Sequence, residues 1–508
     1  MITLDGQNLS LADVLAIADD GAAVSLAPGA RRAVDAARAV VERYAAGDAP
    51  VYGINTGFGS LAEVKIARDA LGALQQNLLR SHAAGVDAPL PARAVRAMMA
   101  LRANVLAKGF SGIRASTLDL LVAALNARVH PVVPSRGSVG ASGDLAPLAH
   151  LSLVLIGEGH ATVGDDDTPL DGGAALARAG LSPVVLGAKE GLALINGTQA
   201  SAAVAALAVL GAERLARAAD ITAALAIDGL RGSYHPFEAR LHDPRPHPGQ
   251  RASAANLLAL LQASAINHSH ENCGRVQDAY SMRCAPQVHG AARDAFAHAR
   301  VTLEIEANAA TDNPMVFADS EAGEIVSGGN FHGAPVAVAA DLLVIGLLQL
   351  ATISERRSDR LVNPVLSGLP PFLTRDSGLH SGYMMAQVTA AALVSELKTL
   401  AHPSSVDTIP TSANREDHVS MSMAAALKAE RALQLATRVL AIEMLLACQA
   451  IDLLAPLTTS PALAPVHAHV RSQVPTLAGD RPPSPDIERI SKLITAGSLE
   501  RASAVEVK

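Results

Sequence analysis

The 508-residue chain has no tryptophan, and aromatic residues make up only 2% of it. Its core must therefore be built from Ala, Leu, Val and Ile. That composition suits close helix packing, because Ala is the best helix former. Cysteine is scarce: Cys273, Cys284 and Cys448 are the whole set. An odd, sparse set does not make a disulfide framework, and without a CxxC pair it makes no zinc site; a reducing cytosol, hence a cytoplasmic protein, is expected. An excess of basic charge is also missing. The net charge is −7, with no basic patch, which argues against nucleic acid as a partner. The first residues, MITLDGQNLSLADVLAIADD, lack a basic n-region and are not expected to be a signal peptide. The most apolar long run, 335–353, carries Asp341 and Gln349. It is expected as a buried bundle helix, not a membrane span.

Half of the residues are hydrophobic, enough for a large core, and the length suggests two or three subdomains. Residues 1–195 read as a mixed, mostly helical region. MITLDG suggests a strand, 90–130 two helices, 131–144 a Pro- and Gly-rich loop, and 145–157 a helix. EGHATVGDDDTPLDGG (158–173) reads as a hairpin or surface loop. From residue 196 to 508 long apolar-periodic segments dominate, near 198–228, 252–270, 286–310, 334–358, 383–400 and 420–453. They predict an extended helical bundle, and a mainly α protein overall. The polar loops between them are the natural place for functional groups.

One loop stands out: GSVGASGDLAPL, residues 137–148. It is not a phosphate cradle, since Gly143 is followed by Asp144 where a Walker loop needs Lys. It is not a GxSxG nucleophile elbow either. Taken alone it reads well as a helix start, with Asp144 as N-cap and Pro147 in the first turn. The same residues permit chemistry. The Gly143 nitrogen can attack the Ala141 carbonyl carbon if the backbone bends tightly, and Gly offers no Cβ to obstruct the bend. Loss of water and dehydration of Ser142 would then leave an exocyclic methylene on an imidazolone, an electrophile that no standard side chain supplies.

SRGSVGASGDLAPLAH (135–150) closely resembles the signature of the aromatic amino acid ammonia-lyases. In that family Ala-Ser-Gly forms 4-methylidene-imidazole-5-one (MIO). Further stretches resemble family motifs in order: YGINTGFG (52–59), NGTQ (196–199), VQDAYSMRC (276–284), TDNP (311–314), SGGNFHG (327–333) and HPSSVDTIPTSANREDHVSM (402–421). Within the family the chain is most similar to the histidine-type enzymes. Ser81-His82 stands where phenylalanine-type enzymes have Phe-Leu. Glu416 stands where phenylalanine and tyrosine types usually have Gln, and a carboxylate suits an imidazole better than a phenyl ring. Arg415 departs from the Gln common in the histidine type and, as an adjacent cation, would favour the charged form of Glu416.

The resemblance implies an aspartase/fumarase-like, mainly α homotetramer with shared active sites: an MIO-bearing domain (1–195), then a long central helical bundle with C-terminal helices (196–508). It implies MIO formed from Ala141, Ser142 and Gly143, with Asp144 assisting cyclisation. Tyr52 would remove the β-proton, and Tyr280 would assist the amine chemistry. Arg283, three residues after Tyr280 and so on the same face of a helix, would clamp the substrate carboxylate. Asn196 would orient the ring or the carboxylate, and Gln277 and Phe331 would form pocket wall. His82 and Glu416 would face the imidazole, Glu416 also as an acid–base group. The reaction implied is elimination of ammonia from L-histidine to give trans-urocanate. Tyrosine or phenylalanine lyases, an MIO-dependent aminomutase, and a catalytically silent helical scaffold are the alternatives. HPFEARLHDPRPHPG (235–249) and HSH (268–270) show no HExxH and no closed ligand set, so no metal is expected.

Overall fold

The structure, a computed structural model, describes residues 1–59, 62–271, 273–320 and 322–508. Among them are 21 α-helices and nine strands, in sheets of two or three strands. The mainly α expectation holds. The chain packs as two units. The first comprises Met1–Leu207, Arg300–Asp341 and Pro403–Leu427; the second comprises Ala208–Ala299, Leu342–His402 and Lys428–Lys508. The linear division proposed at residue 195 falls between the helices Glu190–Ile195 and Gln199–Gly229.

In the first unit, Ile2–Leu4 pairs in parallel with Val24–Leu26. The helix between them, Leu11–Asp19, starts in a capping box made by Ser10 and Asp13. The centre of this unit is the helix Ala92–Ala107, buried at every residue from Ala94 to Ala107. The segment 158–173 forms the expected hairpin, His160–Val163 against Asp166–Asp171, and Val129–Pro131 adds a third strand.

The second unit holds most of the four long helices Gln199–Gly229, Ala285–Ala307, Ala334–Val362 and Ser422–Leu453. With few aromatics, close approach is made through small residues. A Cβ on Gly346 would lie 2.6 Å from the Phe296 ring. One expected long helix is broken: 252–270 forms Pro248–Leu261 and Ala265–His268. Ala263 adopts φ +61°, which ends the first helix, and the Ser264 hydroxyl caps the second. Ala334–Val362 and Ser422–Leu453 have the length and composition to cross a membrane, but both are mostly buried inside the protein.

Candidate active site

The loop before residue 145 turns at two glycines, Gly140 and Gly143, with φ of +68° and +72°. At Gly143 the angle is only half of the requirement. Its backbone runs beside Gly197 as an isolated parallel bridge, and the Asp144 N–H donates to the Gly197 carbonyl at 2.7 Å. A Cβ on Gly143 would run into that carbonyl. Only glycine fits, which is the condition that a tight backbone attack at this residue needs.

Asp144 stands at the N-cap position of the helix Leu145–Leu155, as expected, but its side chain makes no cap bond there. Its carboxylate instead accepts from the N–H and the hydroxyl of Ser201, each at 2.7 Å, and from the Ser138 hydroxyl at 3.0 Å. Ser201 is the third residue of the helix Gln199–Gly229. Asp144 therefore satisfies an open donor at the start of a different helix, where the dipole also favours a carboxylate. Full burial pushes the Asp144 carboxyl up, and the Ser201 and Ser138 hydrogen bonds oppose that rise.

Asn196 follows the short helix Glu190–Ile195. Its Nδ2 donates to the Ser142 carbonyl at 3.2 Å, while its buried Oδ1 has no partner among the described residues. The Asn196 backbone is held by Arg102, a residue the sequence motifs do not mark. Arg102 is fully buried, and its Nη1 donates to the Asn196 carbonyl at 2.8 Å and to Gln199 Oε1 at 2.6 Å. It also donates to the Ala193 carbonyl. Burial lowers it to about 10, so it stays charged at neutral pH and complements the carbonyl end of the short helix.

Glu416 arrives on a turn closed by the pairing of Thr411 with Glu416, through Ser412, Ala413 and Asn414, all in the left-handed region. Three consecutive non-glycine residues there store strain, as functional loops often do. Glu416 Oε1 accepts from the Ser142 hydroxyl at 2.9 Å, and Oε2 from the Thr411 hydroxyl at 2.6 Å. Arg415 points its guanidinium toward Glu63, 3.9 Å away.

His82 ends the helix Leu71–His82, and its Nδ1 lies 2.9 Å from the Leu78 carbonyl. A carbonyl only accepts, so Nδ1 carries the proton and Nε2 is the ring's acceptor. Burial lowers its pKa, against the Leu78 carbonyl and the Glu416 charge, which keeps the ring neutral. The Tyr52 phenol is pushed above its ordinary value, first by burial and also by the Glu416 charge, with a Gly59 backbone N–H opposing.

Tyr52, His82, Ala141, Ser142, Asn196, Phe331 and Glu416 together line one cavity of about 570 Å³ in the first unit. Among the other residues that line it are His332 and His418, whose rings stack with centroids 5.9 Å apart. Both lie inside the quoted motifs, so the signal was present, but no spacing rule distinguishes them. Tyr280, Gln277 and Arg283 belong to the second unit and do not line this cavity. Tyr280–Arg283 is a single helical turn, as the spacing requires, and Arg283 sits 4.6 Å over the Tyr280 ring. Tyr280 is 71% exposed. Gln277 lines a separate, small polar cavity beside Arg231 and Arg275.

A tight glycine turn, a carboxylate and a buried amide meet here around one serine. The sequence model described as aromatic amino acid lyase matches residues 9–472. The chain belongs to the aromatic amino acid lyase family. As such it is a carbon–nitrogen lyase. It is 58% identical to histidine ammonia-lyase from Anaeromyxobacter sp. (strain K), over 98% of this chain and 99% of that protein. The crystal structure of histidine ammonia-lyase from Trypanosoma cruzi superposes with a TM-score of 0.92 at 44% identity, covering 99% of this chain and 94% of that one. Tyrosine aminomutase from Streptomyces globisporus superposes with a TM-score of 0.94 at 38% identity, over the whole of both chains.

Proposed function

We propose that this protein eliminates ammonia from L-histidine to give trans-urocanate, with an MIO group made from Ala141, Ser142 and Gly143. The observation that carries the reading is the cavity itself, which sets Ser142 beside Glu416, Asn196 and Tyr52 with the neutral His82 ring on its wall. The residues fit the group. Gly143 has no room for a side chain, Asn196 already holds the Ser142 carbonyl, and its buried Oδ1 is unpartnered among the described residues. When formed, the group supplies an electrophile that captures the amine and makes it a better leaving group.

The remaining tasks fall to side chains. Asn196 Nδ2 donates to the Ser142 carbonyl oxygen, which the ring retains, and stabilises negative charge there. Dehydration of Ser142 removes the hydroxyl bound to Glu416 Oε1 and leaves that oxygen open to an imidazole N–H. His82, with Nδ1–H committed to Leu78, offers Nε2 as a second acceptor. Tyr52 takes the β-proton, which requires its raised phenol to be deprotonated in the working state. Tyr280 and Arg283 serve amine and carboxylate from an exposed turn. That exposure suits a homotetramer in which one subunit's turn completes another's site. The exposed apolar residues Val301, Ile305 and Val338 suit the same assembly. All three cysteines are free, in keeping with a cytoplasmic protein.

A tyrosine-directed lyase or aminomutase is the second reading, favoured by the full-length likeness to tyrosine aminomutase. His82 and Glu416 weigh against it, since two imidazole partners serve a phenyl ring poorly. A substrate panel on the pure protein separates them. We expect urocanate from histidine as the fastest reaction; faster turnover of tyrosine, or a β-amino acid product, would overturn the assignment. Intact mass tests the cofactor. An active chain without the loss of two waters contradicts it, and Ser142→Ala is expected to abolish activity with the fold retained.

A further inference from the structure

The one-turn helix Tyr280–Arg283 is too short to satisfy its own last carbonyls. The Tyr280 carbonyl accepts from the Cys284 N–H at 2.9 Å. The Ser281 carbonyl accepts from Arg357 Nη1 at 3.1 Å. Arg357 is wholly buried, and so is its partner Glu443. The guanidinium is forked on the carboxylate, Nε to Oε1 and Nη2 to Oε2, the latter at 3.0 Å. On the upstream side, Asp278 Oδ2 accepts from the Ser233 N–H at 2.7 Å, and the Asp278 carbonyl accepts from Arg283 Nε at 2.9 Å. Met282 is buried beneath the turn, while Tyr280 is exposed and the half-buried Arg283 stacks over its ring. The turn is thus gripped from its buried side and free on its exposed side.

A buried ion pair is a poor source of stability. Desolvating both charges costs about as much as their attraction returns, and an apolar pair of similar volume is often as stable or more so. Among helices built from Ala and Leu, such a pair needs another reason. Arg357 supplies one through its third donor. The carboxylate fixes the guanidinium plane, and that plane fixes the turn at Ser281.

We propose that Arg357 and Glu443 are positioning residues for the reaction, setting the aim of the Arg283 fork and the Tyr280 hydroxyl through the Ser281 carbonyl. This rests on the reading of Tyr280 and Arg283 as substrate-facing groups. A displacement of about 1 Å at such a clamp costs on the order of 100-fold in rate.

The test uses the full-length, mature protein. In R357M/E443L the pair is replaced by apolar side chains. The expected result is a Tm within about 5 °C of the parent and unchanged oligomeric mass. With these, kcat/KM for L-histidine falls on the order of 10- to 100-fold, through both KM and kcat. In the R283K background the same double change adds little, because both act on one contact. A kcat/KM within about twofold of the parent, or full additivity with R283K, overturns the proposal. Arg357→Lys is the second variant should the apolar pair not fold. It keeps the charge but cannot fork onto Glu443 and reach Ser281 together, so KM rises at preserved Tm; an unchanged kcat/KM again overturns the proposal. R283K alone separates the two levels. If it leaves kcat/KM intact, the reading of Arg283 as the clamp fails, and the proposal with it.

Discussion

Glu416 and Tyr52 are coupled through charge, and that coupling is measurable. Burial and the Glu416 carboxylate both raise the Tyr52 phenol. A raised phenol holds its proton at neutral pH, so the base form is a small fraction there and grows about tenfold per pH unit until the folded pKa is reached. Glu416→Gln removes one cause of the rise. The Tyr52 midpoint is therefore expected to move to lower pH, read as ultraviolet tyrosinate absorption against a Tyr52→Phe control. With no tryptophan and five tyrosines in the chain, the spectrum is clean enough to resolve one residue. A midpoint that stays or rises would show that Glu416 does not act on Tyr52. Much of this residue-scale chemistry was legible in order along the chain. Tyr52, Ser142, Asn196 and Glu416 lie in quoted motifs, and His82 was marked by its place after Ser81. Arg102 was not legible, because an Arg inside an apolar helix carries no local sign of the carbonyls it will meet.

At the scale of elements, the glycine turn depends on the entry to the long helix. Gly143, Gly197 and the Asp144–Ser201 contacts join the two as one construction. Gly143→Ala places a methyl group against the Gly197 carbonyl and demands a left-handed angle at a residue with a Cβ, costing about 1–2 kcal/mol for the angle alone. We expect the variant to accumulate with Ser142 intact. Its mass would exceed that of a processed chain by two waters beyond the added methylene, and its activity would be at background. Normal processing would show that the close approach does not govern cyclisation. Local pattern placed Asp144 correctly at a helix start. Which helix its carboxylate serves is a matter of long-range packing, since Ser201 lies 57 positions away.

At the scale of the whole molecule, assembly and pH response carry the predictions. Val301 and Ile305 are 56% and 66% exposed and lie four apart, hence on one helical face. Charging both, as V301E/I305E, is expected to shift the protein to smaller species in light scattering and to lower activity in parallel. A folded, fully active monomer would contradict shared sites. The pH response centres on His130, buried on the strand Val129–Pro131 beside Arg96 and Arg128. Burial first, and then those two cations, lower it to about 4. Its ordinary value is about 6.5. Between these values the unfolded chain takes up a proton that the folded chain refuses, so stability falls as pH drops through this window. Asp228, lifted to about 6 by burial, acts with the opposite sign, since folding favours its protonated form below that pH. His130→Gln is therefore expected to flatten the acid loss of stability, measured as denaturant midpoint against pH. An unchanged slope would remove His130 as its source.

By itself the sequence determined the helical class, the Ala-built core and the order of the motifs, because periodicity, composition and glycine placement act over a few residues. Tyr280 and Arg283 were legible as one face of one turn for the same reason. Only the tertiary structure decided what those groups meet. Ser142 reaches Glu416 across 274 positions and Asn196 across 54. It also decided that Asp144 caps a helix other than its own, and that the cavity that holds Ser142 is built by the first unit while the turn carrying Tyr280 belongs to the second. Contacts between distant segments depend on how helices pack, and no spacing rule within one segment encodes them.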